Sequence, residues 1–186
     1  MARGKVVLVT GGARSGKSAF AERLALESGR DVVYIATCVA GDEEMAQRIR
    51  DHRARRPPSW TTVEEPLHPG AVMKEHDGPG RCFLLDCLTL LVSNHLLGIA
   101  GRDGEHLSAR TDVTQQIMRA MDELAAVVAG LQADTVVVTN EVGMGLVPDC
   151  PLGRIFRDVA GRVNQRFAAL ADQVYLMVCG IPLRVK

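Results

Sequence analysis

Lys5-Val6-Val7-Leu8-Val9-Thr10-Gly11-Gly12-Ala13-Arg14-Ser15-Gly16-Lys17-Ser18 decides how the rest of the chain is read. A short, valine-rich apolar run is followed at once by Gly11–Ser18, which matches G-x-x-x-x-G-K-[ST] in full. Phe20 and Leu24 then fall one helical turn apart. Strand, glycine loop and helix in that order are the context in which this motif wraps phosphate. The glycines let backbone N–H groups curl around phosphate oxygens, and the helix N-terminus adds positive potential. Lys17 is placed to reach the β- and γ-phosphates and Ser18 to ligate Mg²⁺, with Gly11, Gly12, Ala13, Arg14, Ser15 and Gly16 forming the cradle.

Four further apolar runs resemble the first: Val32–Thr37, Cys82–Asp86, Thr135–Thr139 and Val174–Cys179. They are continuous rather than alternating, the pattern of strands covered on both faces, as in a parallel sheet. Between them lie helical periods. Val113, Ile117, Met121, Leu124, Val128 and Leu131 form one stripe; Leu152, Ile155, Val159, Val163, Phe167 and Leu170 form another. Strand and helix alternate, so the expected architecture is a single α/β domain over residues 1–186, with a mainly parallel central sheet and helices on both faces. His68–Arg81 and Gly98–His106, rich in glycine, proline or charge, read as surface loops.

The chain has 186 residues, with 22 Lys+Arg against 22 Asp+Glu. A net charge of zero argues against a broad nucleic-acid or membrane-surface role. No apolar run approaches the roughly 20 residues needed to span a bilayer, and the N-terminal run is too short for a signal peptide, so the expected compartment is the cytoplasm. Five cysteines without a C-x-x-C pair make a poor disulfide framework and a poor zinc site. They read as reduced, mostly packed small hydrophobes, with Cys38 set apart because it follows a strand end where ligands gather.

Asp86 ends the third run, where a phosphate-loop protein places a second acidic group near Mg²⁺. The next residue is Cys87 and not the glutamate with which many hydrolytic ATPases activate water, which favours a transferase. Asp42-Glu43-Glu44 places acid at the start of a helix. Met45, Ile49 and His52 then share an apolar stripe among Arg48, Arg50, Arg53, Arg55 and Arg56. Arginines grip phosphate bidentately, and their charge favours a neutral, nucleophilic imidazole. The same spacing also fits an inward histidine on a helix whose basic face is solvated, and physics alone leaves both open.

Four further blocks extend the reading: Tyr34–Thr37, Arg48-Ile49-Arg50-Asp51-His52 leading to Arg56-Pro57, Thr139–Pro148, and Phe156–Gln165. With the glycine loop, in that order, they resemble the bifunctional adenosylcobinamide kinase/adenosylcobinamide-phosphate guanylyltransferases of cobalamin biosynthesis. The resemblance implies a RecA-like P-loop fold assembled as a homotrimer. It implies phosphorylation of adenosylcobinamide with ATP or GTP, then transfer of GMP from GTP to that phosphate through a guanylylated histidine, releasing pyrophosphate. The matching histidine is His52; the position before it, a histidine in some members, is Asp51 here. Catalytic roles then fall to His52 and Lys17. Nucleotide contacts extend to Thr37, Cys38, Val39, Arg53, Ala54, Arg55, Arg56, Glu64 and Asp86, with Mg²⁺ held through the nucleotide by Ser18 and Asp86. Thr139–Pro148 becomes the rim of the site, with Asn140 and Glu141 as its polar groups.

Other classes fit less well. A GTP-dependent switch needs N-K-x-D and D-x-x-G where the chain has Thr139-Asn140-Glu141-Val142 and Asp86-Cys87-Leu88-Thr89. A DNA-dependent ATPase is disfavoured by zero net charge and 4% aromatic content. A P-loop small-molecule kinase without nucleotidyl transfer is the nearest alternative.

Overall fold

The computed structural model describes residues 3–39, 43, 47, 50, 53–54, 56–100 and 110–186. His52 and Arg55 lie outside the described residues, as do Arg48, Ile49 and Asp51. Among the described residues, seven strands form one sheet in the order β3-β2-β4-β5-β1-β6-β7. The strands are β1 Val6–Gly11, β2 Asp31–Ala36, β3 Thr61–Glu64, β4 Arg81–Asp86, β5 Asp134–Val138, β6 Gln173–Val178 and β7 Ile181–Arg184. Every pairing is parallel except the terminal β6–β7 hairpin. Five of these strands coincide, within a residue at each end, with the apolar runs of the sequence.

The helices among the described residues are α1 Lys17–Glu27, α2 Pro69–Glu75, α3 Leu88–Ala100, α4 Arg110–Gly130 and α5 Pro151–Leu170. Alternation along each strand sends side chains to two separate cores. Val7, Val9, Val32, Tyr34, Cys82, Leu84, Val136 and Val138 pack under Phe20, Ala21 and Ala25 of α1. Val6, Leu8, Val33, Ile35, Phe83, Leu85 and Val137 face the remaining helices, through residues such as Met73, Leu91, Ile117, Met121, Val159 and Phe167. Helices cover both faces, and the fold is the expected α/β one.

Three expectations need correction. His68–Arg81 is not a loop throughout: Pro69 stands in the first turn of α2, where its missing N–H costs nothing, and Met73 is fully buried. Gly98–Ala100 belong to α3, and the rest of the second expected loop lies outside the described residues. Cys82 and Cys87 are packed inside, but Cys150 and Cys179 are exposed. Cys150 caps α5, its sulfur accepting the Gly153 N–H at 3.4 Å, and Cys179 sits at φ 52° in the β6–β7 turn.

Candidate functional site

The carboxyl edge of the sheet gathers the motif residues, as in other open α/β sheets. Gly11–Ser18 runs from the end of β1 into the first turn of α1. Gly16, at φ 91°, caps α1 in a left-handed conformation, and a Cβ there would lie 3.3 Å from the Gly180 Cα. The β6–β7 turn thus packs directly on the loop, and the Gly180 N–H donates to the Ser15 carbonyl at 3.1 Å. Arg14 is also left-handed, at φ 55°, and the Ser15 Oγ is buried without a partner. A buried hydroxyl without a partner and a left-handed backbone suit an anion cradle.

Lys17 points back over this cradle. Only 8% exposed, its Nζ donates to the Gly12 carbonyl at 2.6 Å. Burial pulls its pKa below the ordinary lysine value, while the neighbouring Cys87 and Asp86 partly restore it. A buried ammonium held inside a glycine loop is prepared to exchange a carbonyl for phosphate oxygens. Ser18 is half-buried one residue further into the helix.

Asp86 closes β4 beside Ala36 of β2. Its Oδ2 accepts the Tyr34 hydroxyl at 2.8 Å, and the Arg56 guanidinium lies over the Tyr34 ring, 3.4 Å from its centroid. The Arg56 Nε is buried and without a hydrogen-bond partner. The lysine, the carboxylate and the arginine therefore converge on the α1 side of the sheet edge.

The other expected residues divide. Thr37 is fully buried, and its hydroxyl both accepts the Cys87 N–H and donates to the Cys87 carbonyl, each at 2.8 Å. Its side chain is committed to joining the β2 and β4 ends. Cys38 is half-buried and Val39 is 57% exposed. Glu43, Gln47, Arg50, Arg53 and Ala54 have helical backbone. Arg50 is tied to its own segment by Glu43 at 2.6 Å and Gln47 at 2.7 Å. Arg53 stands 4.0 Å from the Glu64 carboxylate, both groups well exposed, and Ala54 is exposed.

The Thr139–Pro148 rim is pinned from below. The Glu141 N–H donates to the Gly11 carbonyl at 3.0 Å, tying the rim to the phosphate loop. The Glu141 carboxylate accepts the Gly143 N–H at 2.7 Å and Arg157 donates to the Gly143 carbonyl at 2.7 Å. Thr139 donates to Asn164 Oδ1 at 2.7 Å, Asn164 donates to the Asn140 carbonyl at 2.9 Å, and Thr89 accepts the Asn140 N–H at 2.7 Å. Met144, Leu146 and Val147 project from this rim, 82%, 96% and 65% exposed. Sequence reasoning overlooked Tyr34 as a site residue and Asn164, Thr89 and Arg157 as the rim's supports. The available signal was that each is polar-tipped and sits at or near a motif block.

Fold and loop together define a RecA-like P-loop nucleotide-binding domain. Residues 7–185 match the family described as cobinamide kinase / cobinamide phosphate guanyltransferase. The chain is 44% identical over 182 residues to the bifunctional adenosylcobalamin biosynthesis protein CobU of Escherichia coli (strain K12), covering 97% of this chain and 99% of the relative. It is 43% identical over 179 residues to the bifunctional adenosylcobalamin biosynthesis protein CobP of Pseudomonas aeruginosa, covering 96% of each. The chain belongs to the cobinamide kinase/cobinamide phosphate guanyltransferase family, and it is a bifunctional transferase of cobalamin biosynthesis. Solved structures add likeness of fold alone. One from a structural study of Project ID PH0250 of Pyrococcus horikoshii OT3 superposes with TM-score 0.58 at 8% identity, over 100% of this chain and 88% of that one. An ATPase of a bacterial type III secretion system gives 0.53 at 12% identity, over 94% and 51%.

Proposed function

We propose that Gly11–Ser18 is the one nucleotide seat for both half-reactions on adenosylcobinamide, within a single domain spanning residues 1–186. The observation that carries this is Lys17: a buried ammonium resting on Gly12 inside the phosphate loop, with Asp86 beside it. In the kinase step the substrate hydroxyl attacks the γ-phosphorus of ATP or GTP and loses its proton to solvent, the bond from that phosphorus to the β–γ bridging oxygen breaks, and Lys17 stabilises the phosphate charge as it shifts toward the leaving nucleoside diphosphate. In the second step the neutral His52 imidazole attacks the α-phosphorus of GTP. A P–N bond forms, the bond to the bridging oxygen breaks, and pyrophosphate leaves with the electron pair. The phosphate oxygen of adenosylcobinamide phosphate then attacks the same phosphorus, breaking the P–N bond and freeing the imidazole. Arg53, Arg55 and Arg56 supply positive charge to the equatorial oxygens. Thr37, Cys38, Val39, Ala54 and Glu64 line the guanosine side, Thr37 as its buried brace, since its hydroxyl, N–H and carbonyl are held by Cys87, Asp86 and Asn94.

Among the described residues no cluster of three or more His, Cys, Asp or Glu side chains is arranged to cage a metal. The donor set present is the hydroxyl of Ser18 and the carboxylate of Asp86, whose second oxygen has no partner among the described residues. That fits Mg²⁺ carried in on the nucleotide, which keeps water and phosphate as its other ligands. Bound there, it would neutralise charge between the β- and γ-phosphates. A homotrimer in the cytoplasm is the assembly and compartment that fit the family resemblance; among the described residues no helix is long and apolar enough to cross a membrane.

Incubation with α-labelled GTP, denaturation and mass spectrometry test the central step. The expected result is GMP on His52, acid-labile and alkali-stable as a phosphoramidate is. His52→Ala should abolish guanylyl transfer and leave the kinase step substantially active. GMP on His68, His76, His95, His106 or a lysine would overturn the assignment.

A further inference from the structure

Tyr34 belongs to the α1-facing core, yet its surroundings are not those of a core aromatic. It is 2% exposed in the middle of β2, in register with Leu84 of β4. Asp86, two residues on, lies diagonally across from it on the same face, within reach of a long aromatic side chain. The phenol reaches the Asp86 carboxylate at 2.8 Å while the ring carries the Arg56 guanidinium at 3.4 Å. In that contact the phenol O–H donates and the carboxylate accepts. A phenylalanine would fill the same space, but its ring edge would have no O–H to give.

We propose that Tyr34 is a positioning residue for the nucleotide: its hydroxyl fixes Asp86 through Oδ2, leaving Oδ1 for the metal–nucleotide, and its ring face holds Arg56 ready for a phosphate. The inference rests on the reading of Asp86 and Arg56 as nucleotide contacts. Fixing Arg56 by a π face differs in kind from fixing it by an acid. A carboxylate would consume the N–H donors and cancel the charge, whereas the ring takes neither. The Arg56 Nε, buried and without a hydrogen-bond partner, shows that the ring has consumed no donor there. One tyrosine thereby sets the spacing between the acidic and the basic partner of the same ligand.

The test uses the full chain with Tyr34→Phe, Tyr34→Leu, Asp86→Asn and the double variant Tyr34→Phe/Asp86→Asn. Binding of a fluorescent GTP analogue is titrated with and without Mg²⁺, and folding is followed by circular dichroism. Tyr34→Phe should bind the metal-free analogue as wild type does and need about tenfold more Mg²⁺ for half-maximal binding, the order expected when a hydrogen bond to a charged group is lost. In the Asp86→Asn background the same change should add nothing, because the two act through one carboxylate. Tyr34→Leu should also weaken metal-free binding, since the ring platform under Arg56 is gone. Unchanged Mg²⁺ dependence in Tyr34→Phe, or a full additive effect on top of Asp86→Asn, would reduce the tyrosine to packing. Wild-type binding indifferent to Mg²⁺ would instead remove the Asp86 assignment, and the proposal with it.

Discussion

Replacing Lys17 with methionine keeps the buried stem and removes the ammonium, so it separates the cost of a charge from the loss of volume. In the folded protein the charge is desolvated and held by one carbonyl at 2.6 Å. Losing it leaves the Gly12 carbonyl short of a donor, costing about 1 kcal/mol, while the desolvation penalty disappears. The two oppose each other, and the net change in stability should stay within about 1 kcal/mol. Binding responds otherwise. A charge-assisted hydrogen bond to phosphate contributes about 1.5–3 kcal/mol, so affinity for GTP and ATP should fall roughly 10- to 150-fold. Proton linkage gives a second readout. Because the folded pKa is depressed, the unfolded chain binds the proton more tightly between that lowered pKa and the ordinary value of 10.5. This group's contribution to stability therefore rises with pH across that window, and Lys17→Met should flatten the rise. Calorimetric titration with nucleotide, assays of both half-reactions, and melts from neutral to alkaline pH together check the reasoning. Guanylyl transfer near the wild-type rate in this variant would refute it, since GTP would then need another seat.

Two further outcomes are expected. Gly16→Ala places a side chain at φ 91° and 3.3 Å from the Gly180 backbone; it should cost about 1–2 kcal/mol in chemical denaturation and lower nucleotide affinity in the same preparation. Asn164→Ala leaves the half-buried Asn140 carbonyl without its 2.9 Å donor, so stability should fall by about 1–3 kcal/mol, with faster amide exchange confined to the Thr139–Pro148 rim.

What the sequence disclosed and what it hid follow one physical line. Buried parallel strands advertise themselves, because a run such as Val6–Val9 must be apolar on both faces; β1, β2, β4, β5 and β6 were all legible. β3 and β7 flank the sheet, where half or all of the strand is wet. Thr61-Thr62-Val63-Glu64 and Ile181-Pro182-Leu183-Arg184 carry no such signature, and Pro182 is tolerable only at an edge. α2 was hidden by Pro69 and Gly70, which read as breakers until Pro69 is seen to occupy the first turn. The phosphate loop was readable because its chemistry is local. Tyr34, Asn164 and Arg157 act across separations of 52, 25 and 14 residues, to Asp86, Thr139 and Gly143. No pattern confined to one segment encodes such a meeting. His52 lies outside the described residues; spacing alone leaves it balanced between a buried stripe and a reactive group, and only the resemblance favours the second.

The placement of β1 bears on when, in the life of a chain, GTP is first held. β1 and its glycine loop are made early, yet Val6 pairs with Thr135 and Val7 with Gln173, and the loop itself is braced by Gly180. A nascent chain that has just exposed Lys17 from the ribosome has no sheet for that loop to rest on. Ladders closed over such separations form late and slowly. If Gly11–Ser18 is the nucleotide seat as proposed, protection of the young protein by its own ligand should begin only once the β6–β7 hairpin has emerged. A chain stalled before β6 would display the whole Gly11–Ser18 motif and still fail to retain nucleotide.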